Sequence, residues 1–415
     1  MGAVTPLGND VSSTWQGLVG GRSGVRKISL FEAGAFPTKI AGEVKNFDFQ
    51  KWTSRNFGPI GRHSCFALEA ASQAAEDSGF SAKTDPARLG VYFGAGDGGF
   101  DFKRYASILM ASINGSELVK SSLYFKNSAS RMNAAELLEQ EPSQVVNHLA
   151  RFFGAKALVS NCLTACAASS QAIGEAAWTI RNGEADVMIT GGAHSMIHPL
   201  GVAGFNLLTA LSTRNDEPEA ASRPFDKTRD GFVLSEGSGA LILEELGHAQ
   251  KRGAKIYAEL IGYGATADAF RMTDPHPQGR GAIRAMHHAL KNAEMKPEDI
   301  DVINAHGTST QLNDQVETRA VKEVFGARAA KIPMSSIKSM LGHMIAAAGS
   351  VELIASALTI RESLVPPTIN YRNPDETCDL DYVPNQARRA KVKTVLSNSF
   401  GFGGQNITLI VKEFK

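Results

Sequence analysis

Thr164-Ala165-Cys166-Ala167-Ala168-Ser169 joins a short apolar run of strand character, Lys156 to Ser160, to a stretch of small residues with helical spacing. From Ala167 to Arg181 the apolar residues Ala168, Ala172, Ile173, Ala176, Ala177 and Ile180 recur near the helical period, and Asn182-Gly183 supplies a stop. Cys166 therefore falls at or near a helix N-terminus, where unpaired backbone N–H groups favour a thiolate and lower its pKa. A helix so rich in alanine is expected to pack against close neighbours and hold the thiol rigidly. Local sequence leaves two readings open: a reactive nucleophile, or a buried structural cysteine.

A second segment echoes the first. Lys338-Ser339-Met340-Leu341-Gly342-His343 runs directly into the small apolar stretch Met344 to Arg361. Cys166 and His343 thus each precede a helix of small apolar residues, once in each half of the chain. The echo points to a duplicated unit whose halves face one another. Forty glycines punctuate alternating strand-like and helix-like runs, which favours an α/β architecture. Strands are expected at 89–94, 186–190, 240–244, 256–264, 301–305, 394–397 and 406–411. Helices are expected at 10–18, 62–78, 134–153, 167–181, 283–293, 314–325 and 344–361. The charged, Pro- and Gly-rich stretch 213–236 reads as a long ordered loop. The opening Met1-Gly2-Ala3-Val4-Thr5-Pro6-Leu7-Gly8 reads as a loop that would follow a strand.

Composition bounds the function. The chain has 415 residues, enough for two domains or one duplicated unit. Its net charge of +1 offers no electrostatic case for binding nucleic acid or a membrane surface. Cys65, Cys162, Cys166 and Cys378 show no metal-ligand spacing and read as reduced thiols of a cytosolic protein; no signal segment is visible. The most apolar stretch, 344–360, is short for a membrane span and carries Glu352 at its middle, so a buried helix is expected there.

Glu352 would be a costly orphan in such a helix unless paired, and Lys338 is the nearest cation in sequence. His306 lies in Asn304-Ala305-His306-Gly307-Thr308-Ser309-Thr310, after a short strand, where it is either a site wall or a capping histidine. The remaining histidines, at 63, 148, 194, 198, 248, 276, 287 and 288, share no ligand spacing, and no metal site is expected. Gly94-Ala95-Gly96-Asp97-Gly98-Gly99 matches a dinucleotide glycine pattern, yet no second strand ending in an acidic ribose ligand follows. Asn398-Ser399-Phe400-Gly401-Phe402-Gly403-Gly404 is either a turn between strands or a loop bringing backbone N–H groups to a substrate.

Taken in order, these segments resemble the β-ketoacyl-[acyl-carrier-protein] synthases, most nearly the elongating type II kind. Further matching motifs are Ala221-Ser222-Arg223-Pro224-Phe225-Asp226, Arg229-Asp230-Gly231-Phe232-Val233, Gly342-His343 through Gly349 to Glu352, and Val365-Pro366-Pro367-Thr368-Ile369-Asn370. The resemblance implies a thiolase fold in five α-β-α-β-α layers, with halves 1–250 and 251–415, and a cytoplasmic homodimer. It implies that Cys166 accepts the acyl chain, and that His306 and His343 bind the malonyl thioester carbonyl. Lys338 with Glu352, and Asp314 and Glu317, would support this network. Phe402 would gate the site and complete an oxyanion hole, while Thr273, Thr308, Thr310, Phe205 and Asp97 would meet substrate. The partners implied are acyl-carrier protein and malonyl-acyl-carrier protein; phosphopantetheine arrives on the carrier, so no cofactor of the protein's own is expected.

The chain departs from the pattern in places. Asp97 stands where the family usually has an apolar residue lining the acyl pocket. Thr209 replaces a frequent Arg, leaving Arg55, Arg62 and Arg271 as candidate carrier contacts. These departures keep a second reading open: a ketosynthase of a polyketide-like or unusual-lipid pathway. A non-catalytic chain-length subunit would lack the nucleophile, and a coenzyme A thiolase would not carry both histidine motifs.

Overall fold

The computed structural model describes residues 1–80, 84–96, 102–113, 115 and 118–415. Two five-stranded sheets dominate the described residues. The first contains β1 (Gly2–Val4), β2 (Leu89–Ala95), β3 (Val159–Cys162), β4 (Val187–His194) and β5 (Gly237–Glu244). The second contains β6 (Glu259–Ala267), β7 (Val302–Asn304), β8 (Met334–Ser335), β9 (Thr394–Gly401) and β10 (Gln405–Lys412). Across the first sheet the order is β3-β2-β4-β5-β1, and across the second it is β8-β7-β9-β10-β6. In both, the third strand of the set pairs with the second, then come the fourth, fifth and first. The senses also agree: two parallel pairings followed by two antiparallel ones. One topology has been built twice, as the echo between Cys166 and His343 implied.

Helices fill three layers around these sheets. α1 (Arg62–Ser78) covers the outer face of the first sheet, against β1 and β5. α2 (Ala168–Arg181) and α5 (Ala348–Glu362) lie between the sheets and touch both, as well as each other. α3 (Arg280–Asn292) covers β6 and β10, with α4 (Gln311–Phe325) beside it. The central position explains the sequence of α5, in which every residue from Ala348 to Ile360 is buried and no polar stripe exists. It also explains β4, buried along its whole length as expected of a strand covered on both faces. No helix of the described residues is long and apolar enough to cross a membrane.

Several expectations need correction. The opening residues are not a loop: Gly2, Ala3 and Val4 form β1, paired antiparallel with Ala240, Gly239 and Ser238. The helix expected over 134–153 is two, Ala134–Leu138 and Ser143–Phe153, because Pro142 cannot donate within a continuous helix. In the stretch expected to be strand at 156–160 the regular ladder begins at Val159, although Ala157 N already donates to Leu89 O and Leu158 O accepts from Val91 N. The helix expected from 344 starts as a tight 3₁₀ turn, Ile345–Ala347. Helices at Phe102–Ala111, Ser121–Arg131 and Pro199–Leu207 were not anticipated.

Gly94 explains part of the glycine pattern without any nucleotide. A Cβ there would lie 2.5 Å from the backbone of Ala168 and Ser169, so glycine lets β2 approach the start of α2. Gly94→Ala should therefore lower stability by about 1–3 kcal/mol through overpacking. Gly204→Ala, where a Cβ meets nothing within 4 Å, should not. Equal melting temperatures for the two variants would show that the strand–helix distance is not constraining.

Candidate active site

The nucleophile candidate sits on a strained turn that the fold repeats. After β3, Ala165 takes a left-handed backbone conformation (φ 47°) and opens the 3₁₀ turn Ala165–Ala167, which feeds α2. In the other half Ile345 (φ 42°) opens the turn Ile345–Ala347, which feeds α5. The two turns pack against each other at the middle of the molecule. Left-handed non-glycine residues typically cost about 1–3 kcal/mol each, so surrounding contacts must hold them. By position, Cys166 in one turn corresponds to Ala346 in the other. Only one of the two turns carries a thiol.

Both histidines converge on that thiol. The cysteine sulfur and one ring nitrogen from each of His306 and His343 all lie within 4.8 Å of one another, and all three residues are buried. The imidazole rings meet edge to face with centroids 5.5 Å apart. His343 is fixed through its backbone N–H, which donates to Val233 O at 2.7 Å, while its Nδ1 accepts from Ile345 N at 3.3 Å. That leaves Nε2 as the N–H of the neutral ring, with no protein partner, free to donate into the site. His306 is fixed by α4: Glu317 accepts from the backbone N–H groups of His306 and Gly307, both at 2.8 Å. Asp314 accepts from Thr308 N at 3.0 Å and Phe225 N at 2.8 Å, with the Arg229 guanidinium beside it. Lys338 and Glu352 form the buried ion pair expected from sequence. A sulfur and two imidazoles are also a donor set suited to a soft divalent cation.

The model of the β-ketoacyl synthase N-terminal domain matches residues 1–249, and that of the C-terminal domain matches residues 257–372. The chain belongs to the β-ketoacyl synthase family. It is 46% identical to 3-oxoacyl-[acyl-carrier-protein] synthase 2 of Coxiella burnetii, over 99% of this chain and 96% of that protein. It is 45% identical to the synthase 2 of Synechocystis, over 100% of this chain and 97% of the relative. Among solved structures, it resembles a type II polyketide ketosynthase in complex with its acyl-carrier protein, at a TM-score of 0.87 and 36% identity, covering 100% of this chain and 98% of that one. A ketosynthase/chain length factor associated with ishigamide matches at 0.87 and 33%, with the same coverage.

In this β-ketoacyl synthase a cavity of about 460 Å³ leads to Cys166, His306 and His343. Thr273, Thr308, Thr310, Phe400 and Phe402 line it, and the Phe400 ring packs on His306 with centroids 5.7 Å apart. The backbone N–H groups of Phe402 and of Cys166 itself are directed at the sulfur. Gly401 makes this approach possible, since a Cβ there would lie 2.7 Å from Thr164 O. Phe205 does not line this cavity; it backs Phe232, edge-on at 5.5 Å. Asp97 lies outside the described residues. Arg62 is not a free surface cation, because it folds onto the buried carboxylate of Glu236. Arg55 stacks on Trp52 and Arg271 pairs with Asp274, while Thr209 is exposed at the cavity rim. Sequence reading missed Phe400 and Phe232 as walls, and Arg229 as the cation tying Asp314 to Asp375. All three already stood inside quoted motifs, but nothing local marked the two aromatics as walls or Arg229 as a partner of remote carboxylates.

One expectation fails on electrostatics. The helix-terminal position was expected to lower the Cys166 pKa, but burial pushes the thiol up to about 11, outweighing the two N–H groups and the Lys338 ammonium. Burial, with Lys338 nearby, also holds His306 and His343 well below the usual imidazole range, so both are neutral at pH 7. Burial pushes Glu317 up to about 7 and raises Asp314 and Glu352, opposed by N–H donors, Arg229 and Lys338 respectively. In the free enzyme the rate of Cys166 alkylation by iodoacetamide should therefore keep rising about tenfold per pH unit between about pH 7 and 9, because only the thiolate reacts. Peptide mass analysis of the alkylated site measures this. A plateau reached by about pH 8 would mean that the N–H groups and Lys338 outweigh burial.

Proposed function

We propose that this β-ketoacyl synthase lengthens an acyl chain by two carbons through decarboxylative Claisen condensation with malonyl-acyl-carrier protein, in fatty-acid synthesis. The observation that carries the reading is the convergence on one thiol of two imidazoles kept neutral by burial. The names of the relatives supply the substrate class.

In the first half-reaction the Cys166 sulfur attacks the acyl thioester carbonyl. The carrier's thiol leaves with the proton lost from Cys166, and the N–H groups of Cys166 and Phe402 hold the tetrahedral oxyanion. In the second, His306 and His343 donate hydrogen bonds to the malonyl thioester carbonyl. Charge that builds on that oxygen as carbon dioxide departs is thereby stabilised. The resulting carbanion attacks the Cys166 thioester; the carbon–sulfur bond breaks, the sulfur recovers its electron pair, and the 3-oxoacyl chain leaves on the carrier. Neutral rings suit this role, since carbonyl polarisation needs donors rather than a strong base. The Lys338–Glu352 pair fixes the field behind them, and Asp314 and Glu317 position the His306 loop. Thr273, Thr308 and Thr310 would meet the phosphopantetheine arm arriving on the carrier, so the enzyme needs no cofactor of its own.

The reading includes a cytoplasmic homodimer. Its support is the four unbridged cysteines and the edge strand β3, where Leu158, Val159 and Leu163 are exposed beside a sheet edge that a second copy could extend. A second reading, a ketosynthase of a polyketide-like pathway, is favoured by the structural neighbours named for such systems.

His306→Ala and His343→Ala should each slow carbon dioxide release from malonyl-acyl-carrier protein by about 10²–10³-fold. Acylation of Cys166, followed by intact mass, should fall far less. Equal loss in both half-reactions would contradict the division of labour.

A further inference from the structure

A second cavity, of about 360 Å³, opens between the start of α1 and the segment that follows β4. Ile197 lines it and also packs in the apolar cluster that contains Cys166, Ile345 and Phe402. Ile197 thus belongs both to this cavity and to the cluster that surrounds the nucleophile. Its wall is polar. Arg62 pairs with buried Glu236, which also accepts from Ser195 Oγ at 2.7 Å. Glu139 accepts from Gly61 N at 2.9 Å and Ser64 Oγ at 2.7 Å, and meets His148 Nε2 at 2.7 Å.

Two imidazoles break this pattern of satisfied groups. His63, on the cavity wall and 1% exposed, has no hydrogen-bond partner on either ring nitrogen among the described residues. His194, at the end of β4 and also 1% exposed, has none either. His194 stands toward the Ile345–Ala347 turn, which packs on the turn that carries Cys166: a Cβ on Gly96 would lie 2.6 Å from its Nδ1 and 3.9 Å from the Ala346 side chain. Burial pushes His63 down to about 4 and His194 down to about 3, with neighbouring His63 and His198 adding to the second shift, so both rings are neutral. Each neutral ring offers one donor and one acceptor, and stranding such groups away from water is costly.

We propose that His63 and His194 form a polar subsite that selects acyl chains carrying a hydroxyl or keto oxygen over saturated chains of the same length. The proposal rests on the reading of Cys166 as the acyl acceptor. A hydroxyl would donate to one ring and accept from the other, whereas a keto oxygen would accept from an N–H. A saturated chain would occupy the same space while leaving the imidazole nitrogens unpaired, and sites built to hydrogen-bond a substrate oxygen reject analogues that lack it.

The test loads the full-length enzyme from acyl-carrier protein bearing an eight-carbon saturated chain, or its hydroxy and oxo counterparts with the oxygen at successive positions. Cys166 acylation is followed by intact mass. At least one oxygenated chain should load about tenfold or more faster than the saturated chain. In His63→Met and His194→Met that ratio should fall toward one, and in His63→Gln and His194→Gln, which keep a donor and an acceptor, much of it should survive. Saturated chains loading as fast as every oxygenated one in the wild type would overturn the subsite and leave the condensing reading standing. Folded wild-type protein that loads no chain would overturn both. The wild-type ratio decides even where a methionine variant fails to fold.

Discussion

The contact between two strained turns at the centre of the molecule governs everything around it. Ala165 and Ile345 both take left-handed backbone conformations, and the turns they open are pressed together between the sheets. The neighbouring strands must come close enough to hold them. Gly94 lies against the start of α2, Gly192 against Ala346 O, and Gly401 against Thr164 O, each at a distance no Cβ would allow. Side-chain hydrogen bonds complete the clamp: Ser350 N donates to Ser169 Oγ at 3.0 Å, and the hydroxyls of Ser170 and Ser399 meet at 2.8 Å. Duplication supplied two such turns facing each other, and chemistry occupies one of them.

Burial at this centre sets the electrostatics. Thiol, imidazoles and carboxylates are all driven toward their neutral forms, and the charge that remains is concentrated in the Lys338–Glu352 pair and in Arg229 with Asp314 and Asp375. Breaking such a pair by removing one partner typically costs about 3–5 kcal/mol. Two neutral N–H donors and a thiol shielded from water form a site that polarises a carbonyl without a strong base. The same burial means that the thiolate must be generated against desolvation. The N–H groups of Phe402 and Cys166 oppose that penalty in the free enzyme.

Much of this was legible in the sequence, for identifiable reasons. α1 and the strand beginning at Leu89 were readable because their periodicity is clean and their ends are marked. The Lys338–Glu352 pair followed from the cost of a lone carboxylate in an apolar helix. Other features were not readable because they depend on tertiary context. The Cys166 pKa was misjudged because local sequence shows the helix start and not the burial that outweighs it. β1 was taken for a loop because its pairing partner, β5, lies more than two hundred residues away in the chain. Arg62 was counted as a surface cation because Glu236, its buried partner, lies 174 residues away. His63 and His194 shared no spacing, so only the fold could bring them near each other and near the paired turns.

The most direct test of the account follows one thiol through a full turnover. Wild-type enzyme given an acyl-carrier-protein thioester should gain the mass of one acyl group, mapped to Cys166. Addition of malonyl-acyl-carrier protein should then discharge that adduct and release a 3-oxoacyl chain two carbons longer. Cys166→Ala, folded, should show neither adduct nor product. An adduct mapped to Cys162, or continued chain extension by Cys166→Ala, would contradict the account.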